Sequence, residues 1–294
     1  MLSKVPEKMV KHDLVPRVFI DWFENQPMDR GIVMGLKRSM PECRIIGARQ
    51  YLAIGNWLNC FVTSHEVREG VVPSEYWCMG DDQKELFQRY DKVGVYQTMP
   101  ATRFKHVFEH DPSDKLGDGL AVLLTYSETE SLRIISVVLR ALEKGDYGFE
   151  SIDVRAHPDT DLSRFKKKVK DLFPSKFKTS IRWSENSIEE LIVGARMVVT
   201  GGSGSAVEAL CHGRPVAVVG RQAGLTMNPI EPIDRLMWKE VYSWRELSSF
   251  LDEWVTEPPV DDQGRKFYAD GVRSRNFECI DFNSCEAILS LLKE

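Results

Sequence analysis

The sequence lacks long apolar runs, closely spaced cysteines and an excess of basic charge. No apolar stretch approaches the roughly 20 residues that span a bilayer, and the N-terminal segment lacks the apolar region of a signal peptide. The six cysteines form no C-x-x-C pair and stand at no metal-finger spacing. Scattered thiols of this kind favour a reducing compartment. We therefore expect a cytoplasmic protein without a transmembrane segment or metal site. Peripheral association with the inner face of a membrane stays open.

The charge balance argues against nucleic acid as a partner. The 294 residues carry 39 basic and 44 acidic side chains, a formal net charge of −5. A mildly acidic surface repels a phosphate backbone. The length predicts about two domains, and 43% hydrophobic residues are enough for sizeable cores.

The second half of the sequence alternates strand and helix patterns. Short apolar runs flanked by glycine, proline or serine predict strands, and apolar residues at helical spacing between them predict helices. This alternation predicts a parallel, doubly wound sheet, as in a Rossmann-like domain. The predicted strands are 120–124, 152–156, 179–183, 197–200 and 215–219.

The first half predicts a second, smaller α/β domain. Its predicted strands are 18–22, 44–47, 75–79 and 93–96, with helices at 27–38 and 83–90. We expect a partial Rossmann-like domain over 1–110, a ligand-binding domain over 111–258, and a helical tail over 259–294 that crosses back to the first domain. The first convincing strand starts near residue 17.

Polar residues follow the strands of the second half, where parallel sheets bind ligands. Glycines allow close backbone approach, and helix N-termini favour phosphate, so the turn 201–205 is a candidate phosphate cradle or an ordinary turn and cap. His157 could donate to a phosphate, and Glu208 could cap its own helix or accept ribose hydroxyls. Ser127, Ser187 and Ser205 are each followed three residues later by a glutamate, which predicts capping boxes at three helix starts, the last of them for a helix over 205–211. The candidate binding residues are Thr125, Ser127, His157, Pro158, Asn186, Ser187, Thr200, Gly202, Ser203, Gly204, Ser205 and Glu208.

Several of these motifs resemble a known family. His157-Pro158 and the segments 187–191, 198–210 and 213–216 look like the donor domain of GT-B fold glycosyltransferases. They are most similar to bacterial capsule and lipopolysaccharide enzymes of the sialyltransferase-like and Kdo-transferase-like group. Segments 22–30 and 47–50 resemble the later part of the acceptor domain in surface-carbohydrate biosynthesis proteins. Since acceptor domains of that family begin with more strands and helices, the resemblance implies that the N-terminal domain is incomplete.

The resemblance implies a metal-independent, inverting glycosyltransferase with two Rossmann-like domains. It would move a sugar from a CMP- or UDP-linked donor to a glycan or lipid-linked acceptor, with no cofactor besides the nucleotide-sugar substrate. His157, Ser203 and Ser205 would contact the donor phosphate, and Glu24 or Asp29 would act as the catalytic base. Three alternatives stay open: a nucleotide-sugar 2-epimerase, a CDP-polyol phosphotransferase, and a non-catalytic subunit of polysaccharide assembly.

Overall fold

In the computed structural model of this protein, short strands form two parallel sheets and helices connect the strands. The structure describes residues 2–112, 115–173 and 181–291. Internal contacts divide the chain into two units, Met1–Lys105 with Arg273–Glu294, and His106–Val272. The predicted α/β class with two Rossmann-like parallel sheets is therefore confirmed. The sequence-based borders at 110 and 258 stay predictions, because compactness alone does not establish which segments fold independently.

The first unit contains a four-stranded parallel sheet in the order β1-β2-β3-β4. Its strands are β1 (Val18–Trp22), β2 (Arg44–Arg49), β3 (Glu75–Cys78) and β4 (Val95–Thr98). Its early helices are α1 (Val5–Lys11), α2 (Pro27–Ser39), α3 (Ser64–Arg68) and α4 (Asp81–Tyr90), and 3₁₀ helices span Leu2–Lys4, Leu58–Cys60 and Thr102–Phe108. The strand order follows the chain order without a reversal among the described strands.

A buried cation organises the core of this unit. Arg49 at the end of β2 is fully buried, and its guanidinium carbon lies 3.9 Å from the ring centroid of Phe87 and 4.9 Å from that of Tyr76. One guanidinium nitrogen donates to Tyr51 Oη and to the carbonyl of Cys60. Cation–π contacts and these hydrogen bonds stabilise a charge that burial would otherwise disfavour.

The second unit contains a six-stranded parallel sheet in the order β10-β9-β8-β5-β6-β7. Its strands are β5 (Gly119–Leu123), β6 (Ser151–Arg155), β7 (Ile181–Trp183), β8 (Ala195–Thr200), β9 (Val216–Val219) and β10 (Trp238–Val241). Its helices are α5 (Glu128–Lys144), α6 (Leu162–Leu172), α7 (Ile188–Gly194), α8 (Ser205–Cys211) and α9 (Trp244–Thr256). The helix α10 (Asp262–Asn276) begins in this unit and ends in the last segment of the first unit, which contains α11 (Phe282–Leu291). Every residue of β5 and β9 is buried, as expected for strands covered on both faces.

Most strands begin or end within two residues of their predicted bounds. The strand predicted at 93–96 begins at Val95, because the Asp91 carboxylate accepts hydrogen bonds from the backbone N–H groups of Val93 and Gly94 and holds a turn there. The strand predicted at 179–183 is present over Ile181–Trp183, and its first two residues lie outside the described part of the chain. Among the described helices, none combines the length and apolarity that a bilayer span requires.

The predicted helix caps are partly correct. Ser187 and Glu190 form the predicted reciprocal capping box at α7. Ser127 caps α5 by accepting from the Glu130 N–H. The capping box predicted from Ser205 and Glu208 is wrong, because Gly204 occupies the cap position of α8 without a side-chain hydrogen bond.

Candidate functional site

The strand order of the second unit defines one edge where a ligand can bind. The chain runs from β5 to β6 and β7 on one side, then returns to add β8, β9 and β10 on the other side. The reversal lies between β5 and β8, and sheets of this type bind ligands beyond the carboxyl ends of strands at such a reversal. Leu123 pairs with both Arg155 and Thr200, so the ends of β6, β5 and β8 are level. The loops that follow these strands therefore leave the sheet side by side.

The turn after β8 is closely packed against protein. A Cβ at Gly202 would stand 2.3 Å from the Met227 carbonyl oxygen, and one at Gly201 would stand 2.9 Å from the Thr125 methyl group. These glycines are therefore required by their protein neighbours, whatever ligand binds at the turn.

The hydroxyls of this turn differ in accessibility. Thr200 is fully buried and donates to the Leu123 carbonyl, which ties the end of β8 to that of β5. Ser205 is also buried, and its hydroxyl donates to Ser203 Oγ at 3.0 Å. Ser203 is half-buried beside Gly204 and is the more accessible hydroxyl for a ligand. The turn thus offers mainly neutral groups.

The loop after β5 connects the turn with its neighbours. Thr125 is buried, contacts the turn at Gly201, and its hydroxyl lies 3.3 Å from Glu130 Oε2. Glu130 forms an ion pair with Arg221, which follows β9. Ser127 is half-buried at the N-terminus of the long helix α5. The β5, β8 and β9 loops are therefore joined by direct contacts.

His157 lies beside the same loop. Its ring centroid is 6.4 Å from that of Tyr126, in an edge-on arrangement. The Asp159 backbone N–H donates to His157 Nδ1 at 3.2 Å. In the neutral ring the proton is then on Nε2, which makes Nε2 a hydrogen-bond donor. Pro158 is exposed next to it.

The loop after β7 contributes the remaining predicted residues. Asn186 and Ser187 are exposed, and Trp183 at the end of β7 pairs with Val154 of β6. Ser187 has its hydroxyl committed to capping α7. This loop lies at the same sheet edge, with β5 and β6 between it and the turn after β8.

Glu208 has a partner that sequence reasoning missed. Its Oε2 lies 2.6 Å from Nε2 of His106, and both side chains are largely buried. This hydrogen bond raises the pKa of His106, while burial opposes the shift. His110 and His212 lie nearby, with rings 5.7 Å apart. No local pattern links positions 106 and 208, so only the tertiary structure shows this pair.

The described part of the chain holds no group of three or more histidine, cysteine, aspartate or glutamate side chains arranged to bind a metal ion. His106 pairs with Glu208, and His110 pairs with Glu189 at 3.2 Å.

The predicted bases Glu24 and Asp29 belong to the first unit, after β1. Asp29 is buried, and its Oδ2 accepts hydrogen bonds from the backbone N–H groups of Glu24 and Gln26. Glu24 is half-buried and accepts from Trp22 Nε1 at 2.9 Å. Asp29 thus caps the N-terminus of α2 through a capping box with Gln26. A negative charge at this position is favourable, because the helix dipole is positive there.

A third carboxyl group lies beside them. Asp21, near the end of β1, has its Oδ2 buried without a hydrogen-bond partner. Burial and the nearby Asp29 charge raise the pKa of Asp21 to about 6. Sequence reasoning missed this residue because a single aspartate inside a strand pattern carries no distinguishing signal.

No protein-family model and no curated protein matches the sequence, whereas solved structures match the fold. S. aureus MnaA with UDP superimposes with a TM-score of 0.62 at 12% identity, over 99% of this chain and 79% of that one. Methanocaldococcus jannaschii UDP-GlcNAc 2-epimerase, in complex with UDP-GlcNAc and UDP, gives 0.61 at 14% identity, over 99% and 79%. Anabaena HepE, in complex with UDP and glucose, gives 0.61 at 10% identity, over 100% and 81%. At these identities, the likeness establishes a GT-B-like fold.

Proposed function

We propose that this protein binds a nucleotide-activated sugar at the reversal point of the six-stranded sheet and transfers the sugar to a hydroxyl acceptor. The observation that carries the proposal is the strand order, because it brings together the loops that contain Thr125, His157 and Ser203. The neutral groups of these loops suit a nucleotide phosphate. The UDP complexes of proteins with this fold support the same ligand class.

In the proposed reaction, His157 Nε2 donates a hydrogen bond to the departing nucleotide phosphate. Ser203 and the backbone of the turn 201–205 contribute further donors, and Glu208 accepts the ribose hydroxyls. A carboxylate of the first unit, Glu24 or Asp29, removes the proton of the acceptor hydroxyl. We propose an inverting, metal-independent step, because the chemistry then needs one base and a stabilised leaving group.

The wider assignment follows from this proposal. The donor would carry CMP or UDP, and the acceptor would be a glycan or a lipid-linked glycan of surface polysaccharide biosynthesis, in capsule or lipopolysaccharide. The reaction would take place in the cytoplasm or at the inner face of the membrane. A CDP-polyol phosphotransferase and a non-catalytic subunit would use the same fold without this reaction.

Nucleotide binding tests the proposal directly. Calorimetry with CMP, UDP and GDP should give a millimolar or tighter Kd for one nucleotide, weakened about tenfold or more by His157→Ala, because one charge-assisted hydrogen bond is lost. His12→Ala is the matched control, since His12 is exposed in the first unit. Absence of binding by all three nucleotides, or equal binding by the His157→Ala variant, would exclude a nucleotide-sugar site here.

A 2-epimerase is the second candidate, supported by the UDP-GlcNAc 2-epimerases that share the fold. Epimerisation requires acid and base groups at the sugar, and Asp21, Glu24 and Asp29 would be available carboxyl groups in the first unit. Proton NMR of UDP-GlcNAc incubated with the protein distinguishes the two. Formation of the 2-epimer without an acceptor favours epimerisation, whereas turnover only with an added glycan acceptor favours transfer.

A further inference from the structure

A second polar cavity lies within the second unit, between α5 and the loops that follow β9 and β10. Its volume is about 940 Å³, within the range of small-molecule sites. The helix contributes side chains from its first turn to Arg140, and the loops contribute 221–223 and 242–244. Apart from Ser127, none of the predicted binding residues lines this cavity.

The cavity has an excess of positive charge. Three arginines, Arg133, Arg140 and Arg221, line it together with one carboxylate, Glu130. Arg221 is paired with Glu130, which leaves the charges of Arg133 and Arg140 in excess. Among the described residues, neither of these two arginines forms an ion pair. Guanidinium groups that form no ion pair within the protein attract the carboxylate or phosphate oxygens of a ligand.

Arg133 is held in place before any ligand arrives. Its Nε donates to the Gly220 carbonyl at 2.7 Å, and one terminal nitrogen donates to the Tyr242 carbonyl at 2.8 Å. It therefore connects the β9 and β10 loops and presents a fixed cation to the cavity. Arg140, two helical turns further along α5, is exposed and can adjust to the ligand. A fixed and an adjustable cation suit an anionic group attached to a larger body.

The remaining lining suits a hydroxylated body. Five hydroxyl-bearing side chains and the indole of Trp244 line the cavity, and no large aliphatic cluster does. Hydroxyls exchange hydrogen bonds with a sugar, and the aromatic ring offers a face for its C–H groups. The hydroxyl-bearing residues are Ser127, Thr129, Ser136, Tyr242 and Ser243.

We propose that this cavity binds an anionic saccharide, whose carboxylate or phosphate group contacts Arg133 and Arg140. The cavity adjoins the candidate nucleotide site, because Glu130 contacts both Arg221 and Thr125. Identifying the saccharide as the acceptor of the transfer rests on the proposed function. The binding itself does not, since it uses Arg133, Arg140 and the loops after β9 and β10, which the proposed nucleotide site does not use.

Calorimetry on the full chain tests the proposal with four probes: glucuronate, glucose 6-phosphate, glucose and inorganic phosphate. We expect both anionic sugars to bind about tenfold or more tightly than glucose or inorganic phosphate. Glucose lacks the anionic group that the arginines recognise, and inorganic phosphate lacks the hydroxylated body. A preference between glucuronate and glucose 6-phosphate identifies the anionic group. Equal affinity for inorganic phosphate and glucose 6-phosphate would overturn the proposal, and so would absence of binding by both sugars.

Variants locate the site. Arg140→Glu should abolish binding of the anionic sugars without a change in melting temperature, because Arg140 is exposed. Lys144→Glu, an equal charge change at the exposed end of the same helix and outside the cavity, should bind like wild type. Ser203→Ala should weaken nucleotide binding alone, which separates failure of this proposal from failure of the proposed function. Equal losses in the Arg140→Glu and Lys144→Glu variants would refute this site.

Discussion

The hydrogen bond between His106 and Glu208 makes the stability of the second unit depend on pH. The hydrogen bond to Glu208 raises the pKa of His106 above its ordinary value of 6.5. The folded chain then binds this proton more tightly than the unfolded chain does. The stabilisation is therefore complete below the unfolded pKa and is lost as the pH rises through the raised folded pKa. His106→Gln removes the charge and keeps a side chain that can donate a hydrogen bond.

The expected magnitude follows from the geometry. A hydrogen bond to a charged group contributes about 1.5–3 kcal/mol. The side chains of His106 and Glu208 are 23% and 14% exposed, so solvent screens part of the interaction. We expect His106→Gln to reduce the free energy of unfolding by about 1 kcal/mol near pH 6, and by much less near pH 9. In a unit of this size, about 1 kcal/mol lowers the melting temperature by about 2–4 °C.

Thermal unfolding followed by circular dichroism near pH 6 and pH 9 measures the difference, and an NMR titration measures the pKa of His106 itself. His12→Gln is the control, because His12 is exposed at the end of α1. An equal loss of stability at both pH values would refute the reasoning, as would a His106 pKa at or below 6.5.

Three further predictions concern single residues. Gly202→Ala should lower the free energy of unfolding by about 1–3 kcal/mol in denaturant titrations, because its Cβ would meet the Met227 carbonyl; an unchanged midpoint would contradict this packing. The pKa of Asp21 is raised to about 6, so ionisation of this carboxyl group destabilises the fold. After allowance for solvent screening, Asp21→Asn should raise the free energy of unfolding by roughly 1–2 kcal/mol near pH 8 and leave it unchanged near pH 3.5. The same gain at both pH values would exclude ionisation as its cause. Ser187→Ala should lower stability by about 1 kcal/mol in melting experiments through loss of the cap of α7, and a neutral result would argue against that cap.

Much of the fold could be predicted from local pattern. The run at 120–124 was sufficient to predict β5, because a strand buried on both faces is a short continuous apolar run. The helix Ser205–Cys211 was predicted with its observed bounds, since a glycine turn precedes it and Gly213 follows it. Its cap was predicted wrongly, because a Ser-x-x-Glu spacing cannot show that Glu208 has a closer partner.

The sequence by itself determined nine of the ten described strands, all but β10, and it determined that the sheets are parallel and that polar residues follow the strands of the second half. Only the tertiary structure decided the strand order, and with it that the β5 and β8 loops meet at the reversal. It also brought His106 to Glu208, and Arg133 to the carbonyls of Gly220 and Tyr242. The physical reason is range: periodicity and capping act within a few residues, whereas these contacts join positions about 90 to 110 residues apart, which only the packing of the whole unit selects.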